Sequence, residues 1–389
     1  MTPHRFAFVT LRYGEQILGG AETAVRRLAE KLAARGDVVE VFTTCATEVF
    51  EWRNRLAVGT EVVNGVLVNR FPVAFVDRDR FMQAQFDLQQ TRDKATERAW
   101  LEYGAHAPQL YEQLLRRRDD FELFFFAPYP FSLIHYAAAV TPSKSVIWPC
   151  LHDEYFAYLP ATQVLLRYAR GILYNSQPER LLAEDALGLV HPRAHTVGIM
   201  VDGITGDADR FRAASGLHDP FIAYSGRMED AKNVPLLIEY FETYKRERPG
   251  NRLKLALAGD GPAARSTADI VHLGFLTQQP LADMYSAALA LCQPSVNESF
   301  SIVIMEAWLA GAPILVHADC AVTRHYAATC GGGFAFGGYD DFAAALDLLQ
   351  LHPQLRDKMG ASGRRYVQNE CSSTATLRRF DGALKDWLA

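Results

Sequence analysis

Gln293-Pro294-Ser295-Val296-Asn297-Glu298-Ser299-Phe300-Ser301-Ile302-Val303-Ile304-Met305-Glu306-Ala307-Trp308-Leu309-Ala310-Gly311 decides how the chain is read. The small and apolar run Ala287 to Cys292 before it reads as a buried strand. The strand breaks at Pro294 into a polar loop, and the pattern predicts an apolar helix from about Ser301 to Ala310, closed by Gly311 as a C-cap. A strand, loop and helix in that order aim free backbone N–H groups and the positive end of a helix dipole at one place, which makes an anion site. Glu298 in the loop and Glu306 in the second helical turn frame it. A glutamate in an otherwise apolar helix is costly to bury alone, so Glu306 is expected to have a partner.

Working outward, the 389 residues exceed one ordinary core, and two domains are expected. With 49% hydrophobic and 22% charged residues, the composition is that of a soluble globular protein. The net charge of −5 divides almost evenly, −2 over residues 1–205 and −3 over 206–389. No basic domain is present to track a phosphate backbone, so nucleic acid is not an expected partner. Apolar runs fall short of the ~20 residues that span a bilayer, and the first residues lead into a strand rather than a signal peptide. The six cysteines are scattered without a C-x-x-C pair, which argues for a reducing, cytoplasmic setting and against a zinc site.

From the N-terminus, strand Phe6 to Thr10, a helix opened by Gly19-Gly20-Ala21-Glu22 and closed by Gly36, and strand Val38 to Phe42 make a β–α–β unit. The glycine pair either lets a phosphate approach the backbone or merely turns the loop. Asn64-Gly65 between two alternating runs predicts a hairpin. Phe81 to Arg118 reads as a long, charged helical region. Its Arg116-Arg117-Arg118 triplet is a solvated face or a weak peripheral membrane contact. Further strands are expected at Phe121 to Phe126, Ser145 to Trp148 and Ile172 to Tyr174. The alternation with helices predicts a doubly wound parallel sheet.

A polar, glycine-containing link from Asp202 to Gly216 marks a boundary, and a second β/α series follows it. Its strands are expected at Phe221 to Tyr224, Leu253 to Ala258, Ile270 to Leu273, the opening stretch and Pro313 to Val316, before three terminal helical segments. The domains expected are 1–205, 206–372 and a final helical segment 373–389.

Each candidate site has a bland alternative. Arg227 and Lys232 flank the loop after the first strand of the second domain, where a fork and a point charge can neutralise a diphosphate, or be two surface cations. Gly259-Asp260-Gly261-Pro262-Ala263-Ala264 fits a dinucleotide pattern after a strand, but the expected acidic residue at the end of the next strand is missing. A tight turn with Pro262 starting a helix is favoured. Asp77-Arg78-Asp79 could hold a divalent metal, yet so loose a triplet arises by chance. His152-Asp153 follows the strand that begins at Ser145, and a histidine there is structural or catalytic. All these groups fall at carboxyl-end edges of their sheets, so facing domains would bring them into one cleft.

Taken together, the chain resembles the retaining glycosyltransferases of GT-B architecture, family four of the sugar-nucleotide-dependent enzymes. The carriers are the E-x7-E element from Glu298 to Glu306, the G-R-x4-K element from Gly226-Arg227 to Lys232, the Ala-Gly-Asp-Gly-Pro turn 258–262, the Gly-Gly-Ala-Glu loop 19–22, and His152-Asp153. The resemblance implies two Rossmann-like domains facing across a cleft, with the last helix returning to the first. It implies transfer of a hexosyl unit from a UDP- or GDP-sugar, without metal or other cofactor, to a glycan, lipid-linked or small-molecule acceptor.

Arg227 and Lys232 would bind the donor diphosphate, Glu306 the ribose hydroxyls, and Glu298 a sugar hydroxyl. Backbone around Phe300 and Ser301 would touch phosphate and sugar. Gly19 and Gly20 would admit the diphosphate, Leu276 would lie against the base, and His152 would stand beside the reacting carbon. Two departures stand out. Glu298-Ser299-Phe300-Ser301 replaces the family's Glu-Gly-Phe-Gly, and Gly198-Ile199-Met200-Val201-Asp202 replaces Pro-Asn-Gly-Val-Asp. A catalytically inactive sugar-nucleotide-binding or scaffold subunit is the alternative reading.

Overall fold

Among the described residues, ten short strands precede the boundary and six follow it. The computed structural model describes residues 3–389 apart from Leu18, Arg92 and Ile204. Chain packing divides it into unit 1, residues Met1–Met200 with Thr376–Ala389, and unit 2, Val201–Ala375. Leu18, in the loop after the first strand, and Ile204, in the expected link, lie outside the described residues.

In unit 1 the strands are β1 (Arg5–Thr10), β2 (Val38–Thr44), β3 (Gly59–Val63), β4 (Val66–Phe71), β5 (Ala74–Phe75), β6 (Ala105–His106), β7 (Leu123–Ala127), β8 (Ser145–Ile147), β9 (Gly171–Tyr174) and β10 (Ala194–Thr196). All but β5 and β6 join one sheet in the order β10-β9-β8-β7-β1-β2-β4-β3. Every pairing is parallel except β3 with β4. That hairpin turns on Asn64 and Gly65, both at positive φ (48° and 82°), the backbone a two-residue turn of this hand requires.

Central strands read as near-continuous apolar runs because helices cover both faces. Phe6, Phe8, Phe124, Phe125 and Phe126 are buried, and Phe8 stacks on Phe125 at 4.9 Å. Phe380 and Trp387 of the last helix, Ser373–Leu388, pack on the same Phe125 ring and are themselves fully buried. Burying two such rings contributes on the order of 1.5–3 kcal/mol each, enough to hold the helix's C-terminal part on unit 1. Gly171 makes room for it, since a Cβ there would come within 2.2 Å of Trp387.

Unit 2 contains β11 (Phe221–Ser225), β12 (Lys254–Ala258), β13 (Ile270–Gly274), β14 (Ala290–Gln293), β15 (Ile314–His317) and β16 (Gly333–Phe336). The sheet order is β13-β12-β11-β14-β15-β16, and all pairings are parallel. This doubly wound order reverses direction between β11 and β14.

Three local expectations need correction. The link 202–216 contains a helix, Ala208–Ser215, capped by Asp207, whose side chain accepts the N–H groups of Asp209 and Arg210. It buries only Phe211 among charged neighbours, too little periodicity to notice, but Arg210 grips Asp283 through two bonds of 2.5 and 2.6 Å. The charged region 81–118 is not one helical run. Helix Arg78–Gln90 ends at its cap Thr91, helix Lys94–Tyr103 starts from its cap Asp93, and β6, which pairs antiparallel with β5, precedes helix Pro108–Arg116; Arg92 lies outside the described residues. Pro262 begins no helix: residues 261–263 make a turn and the chain continues as loop to β13. Among the described residues, no helix is long and apolar enough to cross a membrane.

Candidate functional site

Open α/β sheets bind ligands outside the carboxyl ends of their strands where the order reverses. In unit 2 that point lies between the loops leaving β11 and β14. The first loop carries Arg227 and Lys232, the second Glu298, Phe300 and Ser301. Asn233, in the left-handed conformation (φ 56°), starts helix Val234–Glu247 and donates its side-chain amide to Pro294 O at 3.1 Å, tying the two loops together.

Lys232 Nζ donates to Glu298 Oε1 at 2.8 Å, and the pair is largely enclosed, at 22% and 11% side-chain exposure. Gln293 donates to the same oxygen at 3.4 Å. The expectation that Lys232 and Glu298 serve separate ligand groups therefore meets a preformed ion pair. Arg227 is the accessible cation of the loop, 62% exposed and 3.0 Å from Glu229. Its backbone is fixed instead, because Tyr224 OH donates to Arg227 O at 2.7 Å.

The glycine turn after β12 explains itself as a buttress. Gly226 N–H donates to Ala258 O at 3.0 Å, Met228 N–H to Asp260 O at 2.9 Å, and Ala263 N–H to Met228 O at 2.9 Å. A Cβ on Gly259 would lie 2.1 Å from Gly226 O, and one on Gly261 2.4 Å from Met228 O. These glycines let two loops close on each other beneath Arg227. With no helix following, the turn lacks the N-terminus that a dinucleotide motif uses.

Helix Ile302–Ala310 points its N-terminus at the same place. Ser301 caps it at φ 68°, ψ 80°, a left-handed conformation that favours glycine, and its hydroxyl makes no capping bond. Ser301 Oγ is buried without a protein partner, and in the first turn Ile304 N–H donates to Ser301 O at 3.2 Å, while the N–H groups ahead of it lie where a helix offers no acceptor of its own. Phe300 is buried against Tyr326, with ring centroids 5.9 Å apart, so its backbone is what the loop offers. Ser299 is buried as well. Glu306 is half-buried, and its charge acts on the enclosed phenol of Tyr285, whose ionisation is pushed far up first by burial and then by that carboxylate. Leu276 is half-buried in the loop after β13, beside Phe275 at 54% exposure.

In unit 1, helix Gly20–Arg35 starts after β1. A Cβ on Gly19 would meet the movable carboxylate of Glu22 at 2.1 Å, whereas Gly20 faces open space. Glu22 in the first turn is paired with Arg12. His152 follows β8, with Nδ1 3.8 Å from Glu154 Oε1, and Glu154 accepts the Tyr129 hydroxyl at 2.8 Å. Asp77 of the D-x-D triplet caps helix Arg78–Gln90 by accepting Arg80 N–H. Sequence reasoning missed Asn233 and Gln293, which organise Glu298 and its loop. It also missed Glu179, which holds Leu151 next to His152 and was signalled by the S-x-x-E spacing from Ser176.

Two Rossmann-like units in one chain, the second with a charged switch point, define the GT-B class of α/β protein. The chain aligns with sucrose-phosphate synthase from Thermosynechococcus elongatus at 17% identity and TM-score 0.72, covering 98% of both. It aligns with HepE from Anabaena, solved with UDP and glucose, at 13% identity and TM-score 0.71, covering 98% of this chain and 99% of that one. Residues 207–366, all within unit 2, match the family model "Glycosyl transferases group 1". Among curated proteins the chain is 30% identical over 208 residues to the D-inositol 3-phosphate glycosyltransferase of Kribbella flavida, covering 47% of this chain and 49% of that protein. The enzyme of the same name from Streptomyces scabiei is 26% identical over 52% of this chain and 50% of its own. The chain thus spans about half the length of the curated relatives it matches.

Proposed function

We propose that the protein is a metal-independent retaining hexosyltransferase that moves a sugar from a UDP- or GDP-sugar to an acceptor hydroxyl. The observation that carries this is the meeting of the Arg227/Lys232 loop, Glu298 and the N-terminus of helix Ile302–Ala310 at the switch point of unit 2. Arg227 and Lys232 hold the diphosphate, helped by backbone N–H groups at Phe300 and Ser301. Glu306 accepts the ribose hydroxyls, Glu298 takes a sugar hydroxyl, and Leu276 lies against the base. Gly19 and Gly20 leave room for the diphosphate, and His152 stands at the reacting carbon.

In the reaction, the anomeric carbon's bond to the diphosphate oxygen breaks as its bond to the acceptor oxygen forms on the same face. The departing phosphate oxygen takes the acceptor's proton, so no protein nucleophile is needed. Negative charge grows on the diphosphate as the sugar departs, and fixed cations and helix-end donors stabilise it most in the transition state. Those charges perform the neutralising that a metal would otherwise supply. The neighbour solved with UDP supports a uridine nucleotide. The six cysteines are free thiols, which supports a cytoplasmic setting. The acceptor is a glycan, a lipid-linked sugar or a small molecule, and the names of the curated relatives put an inositol phosphate among the first to try.

The test is nucleotide release from a panel of sugar nucleotides, with and without EDTA. Release that survives EDTA and falls at least a hundredfold in Arg227→Ala and Glu306→Ala supports the reading. No release from any donor, or variants that behave as wild type, refutes it. The buried Ser299 and Ser301 at the donor-sugar position keep a second reading in play, a binding or scaffold subunit of the same fold without turnover. A transferred product eliminates that one.

A further inference from the structure

Glu179 is a carboxylate in the interior of unit 1, 1% exposed, and none of the roles above uses it. It occupies the first turn of helix Gln177–Leu181, where Ser176 accepts its N–H at 3.2 Å. Its side chain reaches out of that helix. Oε1 accepts Leu151 N–H at 2.6 Å, and Oε2 accepts Asn175 N–H. Leu151 is the residue immediately before His152. Trp148 Nε1 donates to Asn175 Oδ1 at 2.5 Å, so segment 148–151 is clamped twice to the end of β9. Between the clamps Cys150 has φ 55°, a strained conformation for a side-chain-bearing residue that persists only where the surroundings impose it. On the other side Glu154 N–H donates to His152 O at 2.9 Å, and Tyr129 OH holds Glu154.

The titratable groups that face Glu179 are Cys150, Tyr129 and Tyr174. Beyond them stand Glu22, Glu154, Tyr155 and the mutually paired Arg180 and Glu184. The only cation in this set is engaged with Glu184. Three backbone donors, from Leu151, Asn175 and Ser176, rather than a counter-ion, therefore satisfy the carboxylate. A buried carboxylate held this way is costly, and it is retained where its geometry is needed.

We propose that Glu179 is a positioning residue for His152, fixing the backbone immediately before the imidazole so that its ring is held at the reacting carbon. This rests on the reading of His152 given above. Burial pushes the Glu179 carboxyl up to about 8, against the pull of its backbone donors. The charged form grips all these N–H groups, and the neutral form gives up one acceptor.

The test compares full-length wild type, Glu179→Gln and Glu179→Asp. Expected for Glu179→Gln are a kcat lower by about tenfold to a hundredfold, a donor KM within about twofold, loss of an inflection of kcat near pH 8, and a displaced His152 imidazole resonance. Aspartate, too short to reach Leu151, should show the same displacement and serves if the glutamine variant does not fold. An unmoved His152 resonance together with an unchanged pH profile overturns the proposal, whether or not kcat falls alongside thermal stability. If wild type transfers no sugar, the transferase reading fails, and the His152 resonance alone decides whether Glu179 positions that ring.

Discussion

Replacing Glu298 with glutamine should strengthen binding of the bare nucleotide while weakening binding of the sugar nucleotide. Lys232 and Glu298 are 2.8 Å apart and mostly enclosed. At an effective dielectric of 20, unit charges at that separation attract by about 6 kcal/mol before desolvation. Enclosure to 11% exposure removes much of this from the carboxylate. A net coupling of about 1–2 kcal/mol is reasonable for a pair between the surface and fully buried cases. A nucleoside diphosphate must compete with Glu298 for Lys232, so freeing the ammonium recovers part of that coupling. The expected gain for UDP or GDP is about threefold to tenfold in Kd, since tenfold is about 1.4 kcal/mol. The sugar nucleotide loses a charge-assisted hydroxyl contact of about 1.5–3 kcal/mol and binds more weakly overall. Titration calorimetry with UDP, GDP and their glucose conjugates measures both, and a Lys232→Met, Glu298→Gln cycle on unfolding measures the coupling independently. Equal weakening of nucleotide and sugar nucleotide would refute the competition.

Ser301→Gly should stabilise unit 2 by about 0.5–1 kcal/mol, because it relieves the left-handed φ of 68° and returns only part of the gain to chain entropy; chemical denaturation checks this. Gly259→Ala should destabilise by about 2 kcal/mol or more and displace Arg227, since its Cβ meets Gly226 O at 2.1 Å and φ is 121°; a variant that unfolds and binds UDP like wild type contradicts it. Arg210 holds the Asp283 carboxyl down to about 2, below its unfolded value of about 3.9. The stability this pair contributes should be complete above about pH 4 and fade as pH falls toward 2. The gap in unfolding free energy between wild type and Asp283→Asn, followed from pH 6 to 2, should narrow accordingly.

Much of this fold was legible because its signals are local. Gly20 and Gly36 bracket one helix, Asn64-Gly65 turns one hairpin, and Ile302–Ala310 is bounded by a polar loop and Gly311. Strands β10 and β16 escaped because three or four residues at a sheet edge carry no period, and β16 is only partly buried. Helix Ala208–Ser215 escaped because its stabilising partner, Asp283, lies 73 residues away from Arg210. The site followed the same rule. Its cations and carboxylates could be picked out by type and spacing, whereas the pairing of Lys232 with Glu298 spans 66 residues and no local pattern encodes it. Ser301 could be marked as a replacement for glycine, but its strained backbone and unpartnered hydroxyl belong to the folded loop.

The claim at the centre is that the switch point of unit 2 binds a sugar-nucleotide diphosphate. A crystal soaked with UDP-glucose or GDP-mannose tests it most directly. The account predicts a diphosphate held by Arg227, Lys232 and the first N–H groups of helix Ile302–Ala310, with the ribose on Glu306 and Lys232 turned away from Glu298. A nucleotide bound elsewhere on the chain, or a saturating soak that leaves the Lys232–Glu298 pair intact with no ligand beside it, would contradict it.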